Sequence, residues 1–392
     1  MRFRHPDGSL VHLAYCTNVH RAEDYDGVLA LLRDHAEAVR RLLGRDRLGV
    51  GLWLARDVTR TLGADPAALR RLKRTLDRRG LEVVTLNGFP YQGFGDEVVK
   101  YRVYRPDWTE PERLDHTVDL ARLLAALLPD DVTDGTISTL PLAWRTDFDE
   151  TRRKKSLEAL HTLASRLDAI EELTGRSIRV GLEPEPGCTV ETTADAIAAL
   201  TGEDAPPAHR IGVCVDTCHL ATSYEDPHTA VPALRTAGVP IVKTQLSAAL
   251  QACDPRDAAV REALAAFAEP RFLHQTRSLT PAGVQATDDL PEALEGGLPQ
   301  DTPEWRSHFH VPLHAPLEPP LAATFPVLQD TLRHLVGGAA AYTHHLEVET
   351  YTWHALPPAL RPRNRAQLAA GIAAELTVVR DLLTSLGLKE LP

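Results

Sequence analysis

Four short apolar runs in this chain each end in an acid or an imidazole: VGLEPEPG, GVCVDTCHLA, HFHVPLH and HLEVET. They deliver Glu183, Glu185, Asp216, His219, His308, His310, Glu347 and Glu349, side chains of the two types that transfer protons and ligate cations. Parity along the runs sorts these residues onto faces. In IRVGLEPEP, Ile178, Val180 and Leu182 share one face while Glu183 and Glu185 share the other; in IGVCVDT, Ile211, Val213 and Val215 oppose Cys214 and Asp216. That alternation suits a strand of a parallel barrel, whose apolar side chains face outward to helices and whose polar ones point inward at the C-terminal end.

Eight such strands are expected, at 10–16, 48–55, 81–88, 136–142, 178–184, 210–216, 240–246 and 344–350. Apolar residues at helical spacing predict helices near 24–43, 64–79, 111–128, 150–174, 192–201, 226–237 and 364–386. Strand and helix alternating eight times define an α/β chain closed as a (β/α)8 TIM barrel, here one domain over 1–392. No GxGxxG follows the first strand, which counts against a dinucleotide site. Residues 251–324 interrupt the alternation and are expected to form an insertion after the seventh strand that folds over the mouth as a lid, with HFHVPL as an alternative wall strand. The aromatic and glycine-rich segment 88–110 is a second candidate lid.

Composition excludes several partners. A net charge of −11 without a basic block argues against nucleic acid and favours a small polar metabolite. Five cysteines in no zinc-knuckle spacing read as reduced thiols. No window approaches the ~18 apolar residues of a spanning helix, so a cytoplasmic location is expected.

Glu183, the DTCH run from Asp216 to His219 and the terminal Glu349 together resemble the xylose isomerase-like TIM barrels, a group of sugar isomerases, 3-epimerases and apurinic-site nucleases. More narrowly, LAYCTNVH, LNGFPY, GLEPEPGC, DTCHLA, KTQLSAAL, HFHVP and LEVETYTW resemble the EboE family of metabolite traffic proteins, found in a bacterial gene cluster for processing or exporting a secondary metabolite. The resemblance implies a divalent metal held by Glu183, Asp216, a seventh-strand histidine and Glu349. This chain carries Gln245 at the seventh-strand position. Either Gln245 substitutes, or His310 enters from the insertion. Three carboxylates with one neutral ligand suit Mn2+, Mg2+ or Co2+, and Zn2+ when the neutral ligand is histidine.

The chemistry so implied is isomerisation or epimerisation of a polyhydroxylated, sugar-like metabolite. Glu183 and Glu349 exchange a proton with an acidified carbon, His219 meets a substrate oxygen, and Lys243 neutralises a developing oxyanion. Asn87, Cys16 and Asn18 are candidates for further polar contacts. Two other readings stand beside it: a non-catalytic barrel that hands a metabolite to a membrane transporter, and a metal-dependent phosphoesterase related to endonuclease IV. Each strand-end acid also has an ordinary explanation as a loop cap or surface charge. For Glu347 and Glu185 an inner ion pair with Lys243 or an arginine is expected as readily as a direct role. His344 and His345 read as strand-entry residues, His274 is balanced between pocket and structure, and His308 and His314 rank below His310.

Overall fold

The computed structural model describes residues 1–315 and 317–392. Eight parallel strands form its wall: β1 (Leu10–Cys16), β2 (Leu48–Trp53), β3 (Leu81–Glu82 and Thr85–Asn87, both parallel to β2), β4 (Asp134–Thr139), β5 (Ser177–Leu182), β6 (Ile211–Asp216), β7 (Ile241–Leu246) and β8 (His345–Val348). Each strand pairs with its neighbour in the chain. β8 pairs with both β7 and β1, and β1 with β2, so the sheet closes on itself. Arg2–Arg4 runs antiparallel to β1, and Lys389–Glu390 antiparallel to Arg2–Arg4, as a hem on this barrel.

The expected alternation places the strands because their outward residues are apolar and have helices to pack against. Ile178, Val180 and Leu182 on β5 are fully buried, and each such side chain contributes about 1.5–3 kcal/mol relative to exposure. The helices start where the sequence supplies caps. Asp149 accepts from Arg152 N at the head of Glu150–Thr174, and Thr192 with Asp195 forms a capping box at Thr193–Leu200. The region after β2 holds two helices, Arg56–Ala64 and Pro66–Arg79, where the periodicity predicts one over 64–79. Asp65 separates them by accepting from Ala67 N, with Pro66 in the first turn. Phe325–Val336, ahead of β8, is a further helix that the pattern did not mark.

Between β7 and β8 the chain builds a second sheet. Its five antiparallel strands lie in the order Gly283–Thr287, Thr276–Thr280, Glu304–Ser307, Leu250–Cys253, Leu321–Ala323. This corrects the alternative that HFHVPL forms part of the barrel wall. β7 and β8 pair directly, leaving no gap for another strand, and the chain leaves the small sheet at His308. Among the described residues no helix is long and apolar enough to cross a membrane.

Candidate metal centre

The barrel interior is polar. In its lower part Thr136 Oγ1 meets Thr85 Oγ1 at 3.0 Å and His345 Nδ1 at 2.6 Å, which places His345 in the barrel floor. Above it Lys243 Nζ donates to Glu347 Oε2 at 2.5 Å, with both side chains fully buried. Lys243, expected at a substrate oxyanion, thus ends on Glu347 beneath the cavity, because a buried carboxylate beside it claims the ammonium. Gly51 on β2 makes room for that pair: a Cβ there would lie 1.4 Å from Glu347 Oε1.

Two residues beyond Glu347 and just past the end of β8, Glu349 reaches the C-terminal mouth. Its Oε1 accepts from Asn18 Nδ2 at 2.6 Å and Asn87 Nδ2 at 2.9 Å. Asp216 ends β6 and caps the short helix Thr217–Thr222. Its Oδ1 accepts from Cys218 N at 2.7 Å, His219 N at 3.0 Å and Ser247 Oγ at 2.7 Å. Glu183 follows β5. One oxygen each of Glu183, Asp216 and Glu349 lies within 4.8 Å of the other two. Asp216 Oδ2 and Glu183 Oε2 are buried without a hydrogen-bond partner, and so are both amide atoms of Gln245, which is in register with Asp216 on β6 and Glu347 on β8. Burial first, and then the neighbouring carboxylates, push Glu183 and Glu349 well above the usual carboxylate range.

Three imidazoles flank Asp216. His219 Nδ1 donates to Pro184 O at 2.7 Å, His310 Nδ1 to Glu349 O at 2.6 Å, and His308 Nδ1 to Gln275 Oε1 at 2.9 Å. These acceptors fix the tautomers, because a carbonyl or amide oxygen can only accept. In the neutral ring each Nε2 then carries a lone pair. His308 Nε2 lies 3.1 Å from His219 Nε2 and 3.2 Å from His310 Nε2, close to the ~3.3 Å between nitrogens on a tetrahedral zinc with Zn–N of about 2.0–2.1 Å. Burial, then the adjacent imidazoles, hold His308 well below the usual histidine range. Burial brings His310 down to about 4. Nitrogens of His219 and His310 and an oxygen of Asp216 form a second group within 4.8 Å, and His308, His310 and Cys218 a third.

Orphaned carboxylate and amide oxygens beside convergent nitrogen lone pairs are what a cation would satisfy, so the residues present fit a divalent metal. His308, expected to matter less than His310, owes its central place to Gln275, just ahead of the strand Thr276–Thr280, whose Nε2 donates to Tyr104 Oη at 2.8 Å and to Pro186 O at 2.8 Å. His274 is structural in its contacts, with Nδ1 on His308 O and Nε2 on Glu269 Oε1, both at 2.9 Å. His314 stacks on Trp353, away from the trio. A cavity of about 60 Å3 opens on Glu183, Glu185, His219, His308, His310 and Glu349. Its remaining wall comes from Asn18, Asn87 and Tyr351 and from segments 88–110 and 251–324, both marked in the sequence as candidate lids.

Fold and donor set together define a parallel α/β barrel whose mouth gathers carboxylate and imidazole groups of the kind that ligate metals. The chain matches the xylose isomerase-like TIM barrel family over residues 49–269 and belongs to that family. Among solved structures it is similar in fold to an Anabaena variabilis protein assigned as a sugar phosphate isomerase/epimerase, at 14% identity and TM-score 0.51, covering 97% of this chain and 100% of that one. A Methylomonas D-allulose 3-epimerase in complex with D-allulose aligns at 14% identity and TM-score 0.47, covering 94% and 97%. An AP endonuclease of family 2 from Brucella melitensis aligns at 17% identity and TM-score 0.38, covering 60% and 78%. No curated protein sequence matches the chain.

Proposed function

We propose that this protein is a divalent-metal-dependent isomerase or epimerase of a small, sugar-like metabolite. The observation that carries the reading is the set of three carboxylates at the barrel mouth, with oxygens within 4.8 Å and two of those residues holding an unpartnered buried oxygen. Glu183, Asp216 and Glu349 would hold the cation, with Gln245 or His310 as the neutral donor. Bound there, a Mn2+, Mg2+, Co2+ or Zn2+ ion would polarise adjacent carbonyl and hydroxyl oxygens and so acidify the carbon between them.

The protein's own groups do the rest. Glu183 and Glu349 come from non-neighbouring strands and face a substrate from two sides. One removes the proton from carbon and the other returns it. Burial raises the affinity of both for a proton in the metal-free protein, and a cation held between them would lower it again. Asn18 and Asn87 orient Glu349 by holding one of its oxygens. His219, with its proton fixed on Nδ1, offers Nε2 as an acceptor for a substrate hydroxyl. In line with the EboE resemblance, the reaction would belong to the processing of a secondary metabolite in the cytoplasm, ahead of a membrane transporter.

A second reading rests on the imidazole trio. Two donor groups that share Asp216 suit a two-metal centre, and two-metal centres favour in-line displacement at phosphorus. The substrate would then be a small phosphate ester, since the net charge of −11 opposes a DNA surface.

Elemental mass spectrometry of protein purified without chelator tests the first reading, beside Asp216→Ala and a turnover assay over ketoses and aldoses. The expected result is about one divalent ion per chain, lost in Asp216→Ala, with turnover falling at least 100-fold in Glu349→Gln. No metal after reconstitution with Mn2+ and Zn2+ would sink it and leave the non-catalytic carrier. About two ions per chain with release of phosphate from small esters would favour the second.

A further inference from the structure

The cavity wall is divided by chemistry. Strand ends supply Asn18, Asn87, Glu183, Glu185, His219 and Glu349, all polar. Segment 88–110 and residues 272–273 supply Phe89, Phe94, Val99, Val103, Phe272 and Leu273, whose side chains are all carbon, while His308 and His310 belong with the polar set. The few polar atoms of the outer wall are engaged: Lys100 donates to Asp289, and Tyr104 Oη donates to Glu185 Oε1 at 2.6 Å. Phe94, Phe272 and Tyr351 come from three separate parts of the chain and pack on one another, with ring centroids 5.1 Å apart for Phe94 and Phe272, 5.5 Å for Phe94 and Tyr351, and 4.9 Å for Phe272 and Tyr351. Tyr351 also lies 4.6 Å from the His310 ring, so this aromatic cap sits against the donor set.

We infer that the substrate is amphipathic: a vicinally oxygenated head for the carboxylates and imidazoles, joined to an apolar, flat or branched hydrocarbon body that enters between the cap and the aliphatic wall. The inference rests on the proposed sugar-like chemistry for the head and adds the body. A fully hydroxylated ligand would strand its outer hydroxyls against carbon, where buried polar groups lose water without replacement. A hydrocarbon body loses nothing there and takes over the ring contacts that the cap now makes with itself. Because the cavity measures only about 60 Å3, the cap rings must part to admit it.

The test is calorimetric titration of Mn2+-reconstituted protein with D-fructose and with its 6-O-benzyl ether, alongside conversion of each. The expected result is at least tenfold tighter binding of the ether. Phe94→Ala should reduce that preference below threefold, and Val103→Thr, isosteric and half-buried so that the fold is kept, should reduce it in the same direction. Equal affinities, tighter binding of D-fructose, or no binding of either probe would overturn the inference. Conversion separates it from the isomerase reading. Ether bound tightly with neither probe converted keeps the amphipathic site and removes the isomerase; both converted at equal affinity does the reverse.

Discussion

Two layers of the barrel interior carry carboxylates, and the fold handles them in opposite ways. In the lower layer Glu347 has a lysine at 2.5 Å, a glycine opposite to make room, and no exposure. In the upper layer Glu183, Asp216 and Glu349 share a space of 4.8 Å and receive only neutral donors: two asparagine amides, two backbone amides and a serine hydroxyl. Charge in the lower layer is balanced by the chain itself. In the upper layer the balance is left to whatever binds, and there burial drives Glu183 and Glu349 toward holding protons. A buried anion with its cation built in is structure; a buried cluster without one is a site.

The largest expected effect comes from making the lower layer resemble the upper. Lys243→Met strands Glu347 in the barrel and should cost about 3–5 kcal/mol of folding stability, as breaking one partner of a buried pair does. Lys243→Met with Glu347→Gln should recover most of it. Urea denaturation reads both. A loss below about 1 kcal/mol in the single variant would mean that Glu347 is simply protonated when unpaired, and the contrast between layers would fail.

Glu375 sharpens the comparison as a buried carboxylate with hydrogen bonds but no cation. It lies on the helix Arg365–Ser385, and its Oε1 accepts from Leu313 N at 3.0 Å and Thr350 Oγ1 at 2.6 Å while Oε2 accepts from Trp353 Nε1 at 3.2 Å. It thereby ties the segments that carry His310 and Glu349 to one helix. Burial pushes it up to about 7 from an ordinary 4.5, its three donors pulling the other way. Between those values the folded protein keeps a proton that the unfolded chain has released, so this group makes stability fall as pH rises through the window, with the full penalty above pH 7. Glu375→Gln removes the dependence and keeps Oε1 for Leu313 and Thr350. Relative to the parent, the variant should gain about 2–3 kcal/mol between pH 5 and pH 8, read from denaturation midpoints at the two pH values. An unchanged difference would place Glu375 among ordinary carboxylates.

What was legible in the sequence follows from the same contrast. All eight wall strands could be located because each is a short apolar run with helical neighbours, and the acids at their ends stand out against those runs. Parity alone put Glu183 and Asp216 inside. Charge pairing across strands is not a local signal: Lys243 and Glu347 are separated by 104 residues, so the sequence is equally compatible with their ion pair and with a substrate role for Lys243. The helix Arg56–Ala64 was missed because it is short and follows β2 almost directly, whereas Asp65 and Pro66 mark the start of the next helix. His308 could not be ranked above His310 from spacing, because its tautomer is set by Gln275, 33 residues away and just ahead of the strand Thr276–Thr280. The antiparallel pairing of the small sheet has the same origin, in contacts that local pattern does not carry.

The smallest effect concerns the fourth donor. Gln245 is fully buried on β7 beside Asp216, with neither amide atom bonded. Such an amide costs about 1–3 kcal/mol per unmet group, which a cation accepting its oxygen would offset in part. If Gln245 is a ligand, Gln245→His, the residue that the family resemblance implies there, should tighten Mn2+ or Zn2+ binding by about tenfold, or ~1.4 kcal/mol. Gln245→Leu should weaken it while stabilising the metal-free protein, since the unmet amide is gone. Competition with a fluorescent chelator measures both. Affinity unchanged in Gln245→Leu but lost in His310→Ala would move the fourth donor to the imidazole trio. The upper layer would then be completed from the excursion between β7 and β8, and the barrel alone would not contain its own metal centre.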